Sequence, residues 1–182
     1  LYDCCPTSDG ASCVILAADH VVRQFTDDPV WLRSSGAGSD RLALHDRPSI
    51  TQLVATQKAS KSAYSAAGIT ANDVDLAEVH DCFTVAEMIA TEDLGFTESG
   101  QGGIFARDGQ GIRNEGSVCI NPSGGLKSKG HPLGATGTGQ AVEVFKQLRG
   151  SVESGRQVRD AQIGITHNVG GSGATCAVHV FG

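Results

Sequence analysis

Short apolar runs alternate with helix-spaced segments along most of this 182-residue chain. The runs at 12–18, 73–80 and 174–181 have the length and composition of buried strands. The segments at 49–68 and 83–94 repeat apolar residues at helical spacing. Because strands that alternate with helices build a sheet with helices on its faces, the sequence predicts an α/β layered fold around a mostly buried sheet.

Glycine-rich stretches set the predicted element boundaries, and glycines concentrate in the second half of the chain. Gly36-Ala37-Gly38 is expected to break a short strand that begins at Trp31. Ser49 is expected to cap a helix that ends at Gly68. The other predicted elements are strands at 117–121 and 162–166, long loops at 96–116 and 122–139, and a helix that runs to Leu148.

The composition argues against a nucleic acid or a membrane as partner. The formal net charge is −6, and the Lys and Arg residues are scattered rather than clustered. No apolar run approaches the roughly 20 residues that a membrane-spanning helix needs. The chain has neither a basic leader nor an initial Met, so we expect a cytoplasmic protein and a fragment or processed piece of a longer one. The six cysteines are expected to be reduced thiols.

Three polar stretches follow predicted strands and are candidates for a shared site. They are His-Asp-Cys-Phe at 80–83, Gly-His-Pro-Leu-Gly-Ala-Thr-Gly at 130–137 and Asn-Val-Gly-Gly-Ser-Gly at 168–173. Loops at strand ends are the usual position of binding sites in α/β folds, so we expect the three stretches to converge.

Cys82 is the first candidate for acid/base chemistry. The imidazole of His80 and a helix that starts at Phe83 would both stabilise a thiolate, lower the pKa of the thiol and let it transfer protons. The alternative is a buried cysteine that packs at a turn without a chemical role. The spacings of Cys82 with His80 and of Cys4 with Cys5 match no zinc pattern, so no metal site is predicted.

His131 and Asn168 are the candidates in the other two stretches. His131 lies between Gly130 and Pro132 in a stiff turn, which suits a positioned donor or base; the alternative is a surface or capping histidine. Asn168 can offer a side-chain amide, and Gly170 a backbone N–H, to an oxyanion. The alternative for this stretch is a plain hairpin turn.

The order and the residue sequences of these motifs resemble the C-terminal half of thiolases of the sterol-carrier-protein-2 type, in their archaeal and bacterial branch. Besides the three stretches above, Asn-Pro-Ser-Gly-Gly-Leu at 121–126 also matches. The resemblance runs from Asp9 to the end of the chain. It implies a thiolase-like layered fold whose C-terminal domain has a mixed five-stranded sheet covered by helices. Residues 1–27 would be the last strand and exit segment of the N-terminal domain, and 28–182 the C-terminal domain.

The resemblance also implies a role for each candidate. His131 would activate the nucleophilic cysteine of the N-terminal half and help to bind the thioester oxygen. Cys82 would be the acid/base that moves a proton at the α-carbon, and His80 would support an oxyanion hole. Asn168 and Gly170 stand where other thiolases have Cys-x-Gly, and the N–H of Gly170 would still serve the oxyanion hole.

Phe83, Gly130 and Pro132 would contact the substrate. Coenzyme A would be a substrate or product rather than a bound cofactor, and neither a cofactor nor a metal is expected. The implied partners are an acyl-CoA, the N-terminal thiolase half and further copies of the chain in a homo-oligomer.

The implied activity is that of an acetyl-CoA C-acyltransferase of lipid metabolism. Such an enzyme catalyses Claisen condensation or thiolysis of a 3-ketoacyl-CoA such as acetoacetyl-CoA. Because the nucleophilic cysteine belongs to the N-terminal half, the chain alone is expected to be inactive. Two alternatives are a retro-aldolase subunit acting on steroid or acyl-CoA esters and a non-catalytic assembly module. The pair of Cys82 and His131 favours thiolysis or condensation.

Overall fold

The structure is a computed structural model that describes residues 2–182 and contains one mixed five-stranded sheet. The spatial strand order is β1-β5-β4-β2-β3. Strands β4, β2 and β3 run parallel to one another, and β5 is antiparallel to both of its neighbours. The predicted α/β class and five-stranded sheet are therefore confirmed. The strands are β1 (Leu32–Ser39), β2 (Leu76–Glu78), β3 (Cys119–Ile120), β4 (Gly164–Gly170) and β5 (Thr175–Phe181).

Helices cover both faces of the sheet. Ala55 and Ala59 of α2 and Leu94 at the end of α3 are buried in the cluster on one face. Val144 of α6 packs with Leu76 on the other face. Within the described range no helix is long and apolar enough to cross a lipid bilayer. The helices are α1 (Asp19–Val22), α2 (Val54–Ala67), α3 (Thr84–Asp93), α4 (Gly102–Arg107), α5 (Gly125–Lys129) and α6 (Thr136–Leu148).

The glycines of β1 do not break the strand, contrary to the sequence prediction. The strand continues through Gly36 and Gly38 to Ser39. A Cβ at Gly36 would lie 2.0 Å from the carbonyl oxygen of Ala59, and one at Gly38 would lie 2.1 Å from that of Ala55. The glycines therefore let the backbone of α2 pack directly on the strand, which is a tertiary reason that local propensity does not contain.

Helix α2 ends as predicted but begins later. Gly68 closes it in the left-handed conformation, with φ of 69°. At the other end Leu53 rather than Ser49 precedes the helix, and the N–H of Leu53 donates to the carboxylate of Asp93. The hydroxyl of Ser49 instead accepts from the N–H of Thr51, so Ser49 belongs to a local turn.

The two predicted glycine-rich loops both contain helices. Helix α4 lies within 96–116, where Phe105 is buried in the core and the N–H of Gly102 donates to Glu92. Helix α5 and the first residues of α6 lie within 122–139. Contacts with residues outside each helix stabilise these short helices. Their glycine content, in contrast, indicates a loop when the sequence is considered alone.

The predicted strand at 12–18 is not formed. Ile15 and Leu16 are 92% and 76% exposed, and among the described residues no strand lies beside them. A strand needs a neighbour for its backbone hydrogen bonds, and an apolar run by itself supplies none. The segment is instead tied to the body by Ser12, whose hydroxyl donates to the carbonyl of Ala135 at 2.7 Å. The domain division at residues 27 and 28 stays a prediction.

Candidate active site

The three parallel strands end at a common edge, and the candidate residues gather there. His80 follows β2, and Asn168 lies near the end of β4. The ring of His131, from the turn before α6, meets the ring of His80 edge to face at a centroid distance of 4.8 Å. The structure thus brings His80, His131 and Asn168 together from three segments far apart in the sequence.

His80 is a buried and neutral imidazole. Its Nδ1 lies 3.3 Å from Nδ2 of Asn168, and its backbone N–H donates to Nδ1 of His167 at 3.5 Å. Burial, together with the nearby charge of His131, lowers the pKa of His80 to about 4. At neutral pH the ring therefore acts as a hydrogen-bond donor without carrying a charge.

His131 is held as a base by its neighbour Thr136. Its Nδ1 lies 2.7 Å from the hydroxyl of Thr136, which also lies 3.1 Å from the carbonyl of Pro132. Thr136 donates to the carbonyl of Pro132, and when Nδ1 of His131 carries the ring proton, Thr136 accepts from it. The lone pair of His131 is then on Nε2. Burial lowers the pKa of His131, against the opposing charge of Asp81, so the ring is neutral and basic at neutral pH.

Cys82 differs from the expectation of an acidic thiol. Burial raises its pKa, and Cys5 and Asp81 act in the same direction, while the backbone N–H of Phe83 opposes them. The neutral ring of His80 brings no positive charge that would lower the pKa of Cys82. Cys82 is therefore a protonated thiol at rest, which equips it to donate a proton before it accepts one.

Asp81 and Asn121 hold the site in place, and sequence reasoning assigned neither of them a role. The buried carboxylate of Asp81 accepts from the N–H groups of Leu126 and Lys127, at 2.7 and 3.2 Å, at the start of α5. The side-chain oxygen of Asn121 accepts from the N–H of Val79 at 2.8 Å. The only sequence signal was their membership of the matching motifs, because the partners lie more than forty residues away.

The predicted substrate contacts divide into two kinds. Gly130 is buried with φ of 88° and ψ of 172°, a conformation that favours glycine, and a Cβ there would lie 2.2 Å from the hydroxyl oxygen of Ser8. Gly130 and Pro132 line a cavity of about 510 Å³ between residues 9–13 and α6. Phe83, in contrast, is 52% exposed at the start of α3.

Gly170 and Cys82 are the catalytic candidates that no contact joins to the histidine pair. Gly170 is exposed at the last position of β4, two residues beyond Asn168. The backbone carbonyl of Cys82 accepts from the N–H of Cys5, but none of the contacts found in the described part of the chain joins Gly170 or the Cys82 side chain to His80 or His131. Across residues 2–182 there is also no cluster of three or more His, Cys, Asp or Glu side chains that can hold a metal ion.

A family model for thiolase C-terminal domain-like proteins matches residues 36–182. The chain therefore belongs to the thiolase C-terminal domain family. Its resemblance to the C-terminal half of thiolases of the sterol-carrier-protein-2 type is confirmed by the relatives and by the fold.

Two relatives and one solved structure show how far the similarity extends. An acetyl-CoA acetyltransferase of Methanothermobacter thermautotrophicus is 53% identical over 181 residues, covering 100% of this chain and 47% of that protein. Sterol carrier protein 2 of Homo sapiens is 40% identical over 179 residues, covering 96% of this chain and 32% of that protein. The chain thus spans about half the length of the former and a third of the latter. The structure of an Ltp2-ChsH2(DUF35) aldolase matches with a TM-score of 0.77 at 21% identity, covering 88% of this chain and 42% of that one, and shows the fold alone.

Proposed function

We propose that the chain is the acid/base-bearing part of an acetyl-CoA C-acyltransferase that cleaves or forms 3-ketoacyl-CoA, with acetoacetyl-CoA as the representative substrate. The observation that carries the proposal is the edge-to-face pair of His80 and His131, two neutral rings at the strand-end edge, with Cys82 two residues from His80. This arrangement provides a base, a neutral donor and a protonated thiol, which are the groups that acyl transfer through a carbanion-like intermediate needs.

In thiolysis, Nε2 of His131 takes the proton of a nucleophilic cysteine supplied by the N-terminal half. The thiolate attacks the 3-keto carbon of the substrate, and the bond between C2 and C3 breaks. Cys82 gives its proton to C2, so that acetyl-CoA leaves and an acyl-enzyme remains. The resulting thiolate of Cys82 then takes the proton of a CoA thiol, whose sulfur attacks the acyl-enzyme. The nucleophilic cysteine leaves as a thiolate and takes its proton back from His131. The condensation follows the same steps in reverse.

The donor to the developing enolate oxygen is His80, with a neutral N–H. Asn168 acts behind it, because its side-chain nitrogen already faces both His80 and Gln140. Gly170 keeps the role of an oxyanion donor only as a prediction. A neutral imidazole N–H, already positioned at the site, can donate to the oxygen where charge develops.

The need for a second half is supported by the surface of the chain. The exposed apolar side chains of residues 12–18 form a run that is suited to pairing with another sheet. The acetyltransferase relative is about twice as long as this chain. Together these observations favour an N-terminal thiolase half as partner and an inactive chain in its absence.

The test is thiolysis of acetoacetyl-CoA by the chain alone and by the chain combined with an N-terminal thiolase half that carries the nucleophilic cysteine. We expect turnover only in the combined enzyme, and a loss of at least about a hundredfold in kcat for His131→Ala and Cys82→Ala. His45→Ala is the matched control, since this histidine is exposed and should leave the rate unchanged.

Two results would overturn the proposal. One is a folded, combined enzyme that lacks thiolysis but splits a 3-hydroxyacyl-CoA by retro-aldol chemistry. The other is a combined enzyme without activity towards either class of substrate, which would indicate an assembly module.

A further inference from the structure

Gln140 is a fully buried polar side chain on α6, directly behind the site. Its Nε2 donates to the backbone carbonyl of His167 at 3.1 Å. Because a carbonyl only accepts, this bond identifies which end of the Gln140 amide carries the protons. The other end, Oε1, then points to the side chain of Asn168, 3.2 Å away.

The orientation of Gln140 fixes that of Asn168. Since Oε1 of Gln140 only accepts, the Asn168 atom that faces it must be the nitrogen. The same nitrogen lies 3.3 Å from Nδ1 of His80. As a donor, it requires a lone pair on Nδ1, and a neutral imidazole has only one proton. The proton of His80 is therefore on Nε2.

A second fixed contact supports the same loop from the other side. The backbone N–H of His80 donates to Nδ1 of His167, whose Nε2 lies 2.9 Å from the hydroxyl of Thr56. His167 is completely buried, and burial lowers its pKa to about 3. One series of hydrogen bonds starts at the backbone carbonyl of His167 and the other at the backbone N–H of His80. A backbone carbonyl only accepts and a backbone N–H only donates, so both series have a fixed direction.

We propose that Gln140 is a positioning residue that, through Asn168, holds the proton of His80 on Nε2 and so keeps the ring ready to donate to the substrate oxygen. The use of that proton in catalysis rests on the proposed function, whereas the position of the proton does not. If the Gln140 amide turned over, its N–H groups would face the nitrogen of Asn168 and its oxygen would face a carbonyl, leaving buried groups unpaired.

The test uses the chain labelled with ¹⁵N in its histidine rings and long-range ¹H–¹⁵N correlation spectra, which distinguish protonated from unprotonated ring nitrogens. In the native chain we expect Nδ1 of His80 to be unprotonated and Nε2 to be protonated. In Gln140→Met, which keeps the volume but removes both hydrogen bonds, we expect Nδ1 and Nε2 to share the proton. Gln147→Met is the matched control: Gln147 is buried on the same helix but bonds to Val158 and Arg156 instead.

Asn168→Asp is a second variant that reverses the predicted preference. A carboxylate accepts where the amide nitrogen donates, so the proton of His80 should move to Nδ1 and the pKa of His80 should rise. This variant keeps the inference testable if Gln140→Met does not fold. The inference is overturned if Nδ1 of His80 is protonated in the native chain, or if folded Gln140→Met leaves the tautomer unchanged. If Gln140→Met does not fold, an unchanged tautomer in Asn168→Asp overturns it.

Kinetics of the combined enzyme separate this inference from the proposed function. We expect Gln140→Met to lower kcat for acetoacetyl-CoA thiolysis by at least about tenfold, with KM changed less than about twofold. A shifted tautomer with an unchanged kcat would support the positioning role and contradict the role of His80 as oxyanion donor. An unchanged tautomer would overturn the positioning role whatever the rate.

Discussion

His80 and His131 lie edge to face, and each ring has one nitrogen occupied by a neighbour from the protein. For His131 the neighbour is the hydroxyl of Thr136, which leaves Nε2 as a base. For His80 it is the amide of Asn168, which leaves Nε2–H as a donor. Burial keeps both rings neutral. One ring is a base and the other a donor, because Thr136 accepts from His131 whereas Asn168 donates to His80.

At the level of single residues, the thiol of Cys82 should react only slowly with alkylating reagents near neutral pH. Burial, Cys5 and Asp81 raise its pKa, so the thiolate fraction stays small until the solution is distinctly alkaline. Timed iodoacetamide labelling with mass spectrometry of the peptides checks this, with the exposed Cys13 as internal reference for reagent access. Faster labelling of Cys82 than of Cys13 near neutral pH would show that the thiol is acidic after all.

At the element scale, close contact between backbones holds β1 against α2. Gly38→Ala would place a Cβ 2.1 Å from the carbonyl oxygen of Ala55, so the helix must move away from the strand. We expect the free energy of unfolding to fall by about 2 kcal/mol or more, measured by urea denaturation. Gly134→Ala is the control, since a Cβ there meets no atom within 4 Å. Equal stabilities of the two variants would contradict the packing described here.

The elements also show what the sequence can and cannot predict. The apolar periodicity of α3 and β5 was visible because each buries one face locally. In the sequence, the glycines of β1 indicate a break because the helix that they accommodate lies elsewhere in the chain. The sequence of α5 indicates a loop because Asp81, far upstream, accepts from its first N–H groups.

The same distinction applies to the site. The motifs predicted His80, His131 and Asn168 as neighbours, and the structure places them in contact or within hydrogen-bonding distance. Gln140 carries no signal in the sequence, because one buried glutamine on a helix has no pattern that distinguishes it from its neighbours, and Thr136 has only its membership of the motif at 130–137. Their importance comes from the direction of single hydrogen bonds, which only three-dimensional contacts reveal.

At the scale of the whole molecule, the buried histidines connect the site to stability. The pKa of His80 is about 4 in the folded chain and about 6.5 when unfolded, so the unfolded state binds more protons between these values. Its contribution is fully present above pH 6.5 and is lost as the pH falls towards 4. The raised pKa values of the buried Glu78 and Asp93 and of the half-buried Glu87 act in the opposite direction.

A comparison with His80→Asn isolates this effect. We expect the difference in free energy of unfolding, native minus variant, to fall by up to about 1.4 kcal/mol per pH unit between pH 6.5 and 4. Urea denaturation at several pH values measures it. A difference that stays constant, or that grows as the pH falls, would mean that His80 is not neutral in the folded chain.

A count of the acyl-CoA products tests whether this chain supplies acid/base groups for acyl transfer, as we propose. The chain combined with an N-terminal thiolase half is mixed with acetoacetyl-CoA and CoA, and acyl-CoA species are counted by mass spectrometry. We predict two acetyl-CoA for each acetoacetyl-CoA and CoA consumed, and none of this turnover with Cys82→Ala. Consumption without this stoichiometry, or full turnover in Cys82→Ala, would mean that the chain does not supply these acid/base groups.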